Sequence, residues 1–224
     1  DGSQSSTITV SVNDGSSDNN FDPVSDQTVT ATTTDNDVAG FTIAQTGGST
    51  SVAETGTTDT FTVVLNAQPN SDVVIAITSN DTGETTVTGS LTFTNGNWNT
   101  PQTVTVTGVD DNIIDGTISS TITIAVIDAI TDDAFDAVAD QTVTATTTDN
   151  DVAGFTVAQT GGSTAVAETG TTDTFTIVLN AQPDSDVVFI IASNDTGEAT
   201  VTSALTFTNA NWNTAQTVTV TGVD

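Results

Sequence analysis

The sequence predicts an all-β fold of tandem Ig-like β-sandwich modules, arranged head to tail with a 114-residue period. Short runs alternate apolar residues with threonine, turn residues recur about every ten positions, and no stretch has helical periodicity. Asp35–Asp110 matches Asp149–Asp224 at 64 of 76 positions without a gap, and residues 1–34 match 115–148 at 22 of 34. A period this long is a whole domain, not a solenoid unit. Val and Thr are abundant while aromatics amount to 9 Phe and 2 Trp, enough to fill a thin sandwich core.

The elements follow in order within one period. Phe41-Thr-Ile-Ala-Gln45 alternates, Gly47-Gly48 turns the chain, and Ser51-Val-Ala-Glu54 continues it. Thr60–Leu65 is closed by Asn66-Ala-Gln-Pro69-Asn70. Asp72–Ile77 is a more continuous apolar run, as a central strand requires, and Asn80-Asp-Thr-Gly83 ends it. Leu91–Phe93 and Val104–Val106 put apolar residues on one face and Thr on the other; Ile118–Ile127 and Val143–Ala145 complete seven or eight strands. Differences between the copies are mild: Ile43 and Val157, or Val63 and Ile177, exchange one apolar residue for another at inward positions. Trp98 and Trp212, each in Asn-Trp-Asn, read as plugs over the sandwich end. The Thr-rich faces read as ordinary solvated strand surface.

The ends carry more information. Residues 1–34 correspond to the last two strands of a module, 35–148 to a complete module, and 149–224 to roughly the first five strands of another. Neither fraction can cover its own core face, and a junction of a few residues is too short for closure within the chain. Two full periods would span four residues more than the 224 present. Two readings remain open: the N-terminal strands of one copy complete the C-terminal fraction of the next, or the chain is a slice of a longer repeat protein. Both give a head-to-tail array, with the chain itself as partner.

Charge decides the chemistry. The chain has 25 Asp and 4 Glu with no Lys, Arg or His, a formal charge of -29. No salt bridge between side chains is possible, and self-repulsion opposes a compact state unless cations bind. Such a surface repels nucleic acid and anionic lipid, and no apolar run approaches the ~18 residues of a membrane-spanning helix. Without Cys, disulfides are excluded. Nucleophile–base pairs have no base but carboxylate and thin modules offer no cleft, so no enzyme is expected.

The decapeptide Thr-Thr-Thr-Asp-Asn-Asp-Val-Ala-Gly-Phe stands at 32–41 and again at 146–155. Its Asp-Asn-Asp turn offers hard oxygen ligands between strands, and carboxylates gathered from several loops make sense around a divalent ion. The alternative is that they are ordinary solvated turn residues. A second acidic loop, Asp128, Asp132, Asp133 and Asp136, is expected to be solvated.

Asp149-Asn-Asp151, Val52-Ala-Glu54, Leu91-Thr-Phe93 and Val104-Thr-Val-Thr-Gly-Val-Asp-Asp111 together resemble the Calx-β domain, the calcium-binding sandwich of sodium–calcium exchangers and large bacterial surface proteins. The resemblance spans the period. It implies Ca2+ held at one end of the module by Glu54, Asp110, Asp111, Asp115, Asp149 and Asp151. In the split module it implies Glu168 and Asp224 of one copy with Asp1, Asp35 and Asp37 of the next. Asp81 and Asp195 match a loop acid of the family. Asn112-Ile-Ile114 replaces a more acidic segment, so one or two ions per boundary are expected. Asn80 and Asn194 begin the Asn-x-Thr sequons, which can carry glycans on an exposed fibre. The expected protein is a calcium-rigidified structural subunit of a bacterial extracellular filament or surface fibre. The runner-up is the stalk or glycan-binding module of a large adhesin; a calcium sensor would need an effector domain.

Overall fold

A computed structural model describes residues 2–224. The described residues form strands β1 (Gln4–Val10), β2 (Gln27–Thr33), β3 (Phe41–Gln45), β4 (Thr50–Ala53), β5 (Thr58–Leu65), β6 (Val73–Ser79), β7 (Thr85–Val87), β8 (Ser90–Phe93), β9 (Gln102–Gly108), β10 (Ile118–Val126) and β11 (Gln141–Thr148). They continue with β12 (Phe155–Gln159), β13 (Thr172–Leu179), β14 (Val187–Ile190), β15 (Ala199–Val201), β16 (Ala204–Phe207) and β17 (Gln216–Gly222), and a few single-turn 3-10 segments lie between strands.

β3 to β11 build a complete sandwich. One sheet has the order β4-β11-β10-β6-β8 and the other β3-β5-β9-β7. Every pairing is antiparallel except that of β4 with β11. Period-two alternation aims Phe61 and Val63 of β5 and Val104 and Val106 of β9 at Ile75 and Ile77 of β6 and Ile122 and Ile124 of β10, and all are buried. The continuous apolar run read as a central strand is β6, which lies between β10 and β8. Trp98 packs half-buried at the margin of this core, and its carbonyl accepts from the Leu65 amide at 3.1 Å. The turn after β3 needs positive φ at Gly47 (70°) and Gly48 (85°), which glycine alone adopts freely.

Two features depart from the sequence reading. The three-residue strand β7 was not anticipated, because Thr85-Thr-Val87 is too short to display an alternation. The acidic loop after β10 is not simply solvated: Asp132 is buried, and its carboxylate accepts from the amides of Asn70 (2.6 Å), Ser71 (2.8 Å) and Ala134 (3.0 Å). That loop is thereby fastened to the turn before β6, with Phe135 sunk into the core.

The rest of the chain consists of two open pieces. β1 and β2 pair in the register of β10 and β11 shifted by 114, Gln4 with Thr33 where Ile118 meets Thr147, yet no further strand joins them. β12 to β17 make a four-stranded sheet, β12-β13-β17-β15, and a separate pair, β14-β16. The counterparts of β10 and β11 are absent there, and the local structure responds. Thr164–Ala167, nearly identical to β4, is not a strand because β4 exists by pairing with β11. β14 keeps four residues where β6, flanked by β10, has seven. Six strands therefore form where roughly five were expected; β14 is shortened, and the counterpart of β4 is lost.

Burial separates the copies sharply. Ile8 is 51% exposed and its counterpart Ile122 0%; Phe21 is 58% and Phe135 1%; Phe155 is 53% and Phe41 3%. These are the same side chains at corresponding positions, with and without a facing sheet.

Phe135→Ala is therefore expected to destabilise the chain by about 3–5 kcal/mol in denaturant unfolding, while Phe21→Ala under dilute, monomeric conditions changes stability by less than about 0.5 kcal/mol. Equal losses at both positions would contradict the open hairpin.

Candidate metal centre

The acids of the complete sandwich converge at one end. Glu54 follows β4 and Glu84 precedes β7, and both are buried. Asp110 and Asp111 follow β9, Asp115 precedes β10, and Asp149 and Asp151 follow β11. The convergence depends on Gly108: a Cβ there would stand 2.1 Å from the carbonyl oxygen of Ala53, so only glycine lets the end of β9 approach the end of β4. The Val109 amide then donates to the Glu84 carbonyl (2.9 Å), and the Glu54 amide to that of Thr148 (3.1 Å).

Two carboxylate groups share Glu54. Oxygens of Glu54, Glu84 and Asp115 lie within 4.8 Å of one another, as do oxygens of Glu54, Asp149 and Asp151. The Asp-Asn-Asp turn is locked in place. Asp149 accepts from the amides of Asp151 (2.6 Å) and Gly116 (2.9 Å), the Asn150 amide donates to Glu54 Oε2 (3.1 Å), and Asn150 Nδ2 donates to Asp110 Oδ1 (2.9 Å).

Not all of this charge is compensated. Glu84 Oε2 and Asp151 Oδ2 are shielded from solvent and have no hydrogen-bond partner. Burial, followed by the charges of Asp115 and Glu54, pushes the Glu84 carboxyl up to about 7. Burial likewise raises Glu54, opposed by the Asn150 amide, and raises Asp151 beside Asp149. Partial desolvation and the charge of Asp111 raise Asp115. Asp149 moves the other way, held down by the amides of Asp151 and Gly116. Without cationic side chains in the sequence, such a group fits a small divalent cation, which supplies charge where carboxylates alone repel. Glu54 belongs to both carboxylate groups, and the acid-poor segment 112–114 does not prevent the grouping.

Of the residues expected for this site, Glu54, Asp115, Asp149 and Asp151 are brought together, and Asp110 joins them through Asn150. Asp111 lies close enough to raise Glu54 and accepts from the Ile113 amide (2.7 Å). Asp81 contributes its charge near Glu84 but uses Oδ1 to accept from Gly83 (3.0 Å), and Asp195 does the same with Gly197 (3.0 Å). Glu168, Asp224, Asp35 and Asp37 are exposed and form no such group within the chain; Asp1 lies outside the described residues. Asn80 and Asn194 are both exposed; Asn80 extends the β6–β10 pairing, its Oδ1 accepting from the Thr121 amide (2.6 Å), and Asn194 lies where the β10 counterpart is absent. The sequence reading missed Glu84. A signal existed in the sequence: the four Glu form two pairs 114 apart, 54 with 168 and 84 with 198, and the structure buries the first member of each.

No family model matches the chain, and no curated protein is similar to it in sequence. Among solved structures it is similar to surface layer protein SbsC, domains 1–6, at 17% identity over 98% of this chain and 25% of that one, with a TM-score of 0.40. It is also similar to CBD12 from CALX1.2 (14% identity, 79% of this chain and 73% of that one, TM-score 0.36). A third is SSP-19, an MSP-domain protein like family member in Caenorhabditis elegans (18% identity, 45% and 92%, TM-score 0.30). Identities and TM-scores at this level place the chain in no family. Among the described residues no helix is long and apolar enough to cross a membrane.

The raised Glu84 carboxyl has a definite sign. Between its ordinary 4.5 and about 7 the unfolded chain has lost this proton while the folded chain retains it, so metal-free stability falls as pH rises through that window. Asp132 and Asp149, both lowered, act below the ordinary carboxylate range and do not offset it. The calcium-free melting temperature is expected to drop between about pH 5 and about pH 8, to drop less in Glu84→Gln, and to be raised by millimolar calcium more in the parent than in that variant, which keeps the Glu54, Asp149 and Asp151 group. A calcium-free melting temperature that rises over this window would contradict the assignment.

Proposed function

We propose that the protein is a structural subunit of an extracellular fibre, joined to other copies head to tail by strand complementation and stiffened by calcium at the module boundaries. The observation that carries this reading is the complementarity of its two open pieces. The hairpin β1–β2 exposes the apolar side chains that β10 and β11 bury, and the half-sandwich β12–β17 lacks the two strands that would cover it.

The loops fit as well as the strands. The half-sandwich has an apolar cavity of ≈ 290 Å³ lined by Ala153, Phe155, Leu179, Ala181, Val187 and Phe189. The counterparts of these residues, Ala39, Phe41, Leu65, Ala67, Val73 and Ile75, belong to the core in which Phe135 is buried. Phe21 of a second copy would take the seat that Phe135 occupies, beside the edge-to-face pair Phe155 and Phe189, whose centroids are 4.8 Å apart. The donor loop and the donor strands are thus parts of one insert.

A joint of this kind uses different surfaces on its two sides and propagates without closing, which makes a filament. The same joint arises within one chain wherever such repeats run in series. Calcium fits an extracellular setting, where modules with millimolar to submillimolar affinity are loaded. Carboxylates grouped at every boundary would repel without it and fix the boundary with it.

Purified 224-residue chain in millimolar calcium should form filaments visible by electron microscopy, with the mass of the intact chain after dissolution in denaturant. Ile8→Asp and Phe21→Ala should shorten or abolish them, because one places a charge in the joint and the other empties its deepest seat. A parent chain that stays monomeric at high concentration in calcium would overturn complementation by a second copy.

A further inference from the structure

We propose that each joint between copies carries a composite cation site, completed only when the hairpin of one copy enters the half-sandwich of another, so that a divalent cation such as calcium gates polymerisation. This rests on the strand-complemented joint above and adds its regulation.

A shift of 114 maps the acids of the complete sandwich onto both sides of the joint. Glu54, Glu84 and Asp110 become Glu168, Glu198 and Asp224 on the receiving copy; Asp149, Asn150 and Asp151 become Asp35, Asn36 and Asp37 on the inserting copy. Neither set is a site alone, and among the described residues the chain does not bring them together.

Both half-sets are already shaped. On the inserting side, Asp35 accepts from the amides of Gly2 (2.7 Å) and Asp37 (2.9 Å), the arrangement Asp149 makes with Gly116 and Asp151. On the receiving side, Gly222 approaches the Ala167 carbonyl as Gly108 approaches Ala53, with 2.1 Å from a hypothetical Cβ in each. The Val223 amide donates to the Glu198 carbonyl at 3.0 Å, matching Val109 and Glu84 at 2.9 Å. This framework stands even though two strands of the module are missing.

What the completed arrangement demands is visible in the complete sandwich, where Glu84 is 6% exposed, a carboxylate oxygen of it lies within 4.8 Å of oxygens of Glu54 and Asp115, and its Oε2 has no partner. In the complete sandwich those acids are covalently confined, so a cation changes stability alone. At the joint they belong to separate molecules of formal charge -29, so the cation changes association. At a cation concentration of about 100 times the dissociation constant, one such site raises the association constant about 100-fold.

The test uses full-length chain in sedimentation velocity and electron microscopy, in calcium, in magnesium and in chelator. The parent is expected to assemble in calcium and fall apart in chelator. Asp35→Asn with Asp37→Asn alters only the inserting half-set, and Glu168→Gln with Glu198→Gln only the receiving one. Each double variant alone should lose the calcium response of assembly while keeping the calcium-dependent melting of the complete sandwich, which shows that it is folded. Mixed, they should regain a calcium-dependent association that stops at dimers, since only one of the possible joints has both half-sets intact. Parent filaments equally stable in chelator, or variants that keep the calcium response, would overturn the gating while leaving the joint intact. Failure of the parent to assemble in any condition would instead strike the joint itself.

Discussion

The structure depends on the disposal of twenty-nine carboxylates in a chain with no cationic side chain. Each must be met by water, by a backbone amide or by an external cation. Amides answer much of the demand where turns leave them free: Asp81, Asp111, Asp149 and Asp195 each accept from a residue two positions on. The two acids that lie within strands, Asp59 and Asp173, do the same across a gap. Asp59 fastens the Ser51 amide and Asp173 the Ala165 amide, so that the edge segment is held to its neighbour. The strand faces are left to threonine, and the sheets can stack without charge. Among the described residues, the carboxylate oxygens shielded from solvent with no partner are those of Glu84 and Asp151, both at the end of the complete sandwich.

Strand content was legible because period-two patterning writes burial directly into the sequence. Phe61-Thr-Val63 and Val104-Thr-Val106 could face a core in only one way. β7 was not legible, since three residues carry no period. Asp132 was misread for a physical reason: its loop composition looks like that of any solvated turn, and only the approach of Asn70 and Ser71, some sixty positions away, turns it into a buried clamp. The metal-centre acids were mostly legible through the spacing of Asp-Asn-Asp and Asp-Asp about the strands. Glu84 was not, because what marks it is burial beside Glu54, a tertiary fact, although the pairing of the four Glu at one period hinted at it.

The near-repeat within one chain separates local preference from context. Thr164-Ala-Val-Ala167 and Thr50-Ser-Val-Ala53 have almost the same sequence, yet only the second is a strand, because only it meets β11. The half-sandwich β12–β17 is also not a plain copy of its closed counterpart. Phe189 replaces Ile75 and Ile190 replaces Ala76, and Phe189 stacks edge-on against both Phe155 and Phe207. The larger ring thus links these two aromatic side chains of the half-sandwich.

The energetics of the proposed joint explain why a cation would decide its fate. Burying the side chains of Ile8, Val10, Phe21, Val24 and Val29, all exposed in the hairpin, contributes on the order of 8–15 kcal/mol in total. Association and side-chain ordering cost about 4–15 kcal/mol, so apolar burial alone leaves the balance close to zero. Ladder hydrogen bonds add to it, while carboxylates facing one another across the joint subtract from it. When two large terms nearly cancel, the remaining term sets the sign. Here that term is electrostatic, and because the chain has no cationic side chain of its own, only the surrounding solution can reverse it.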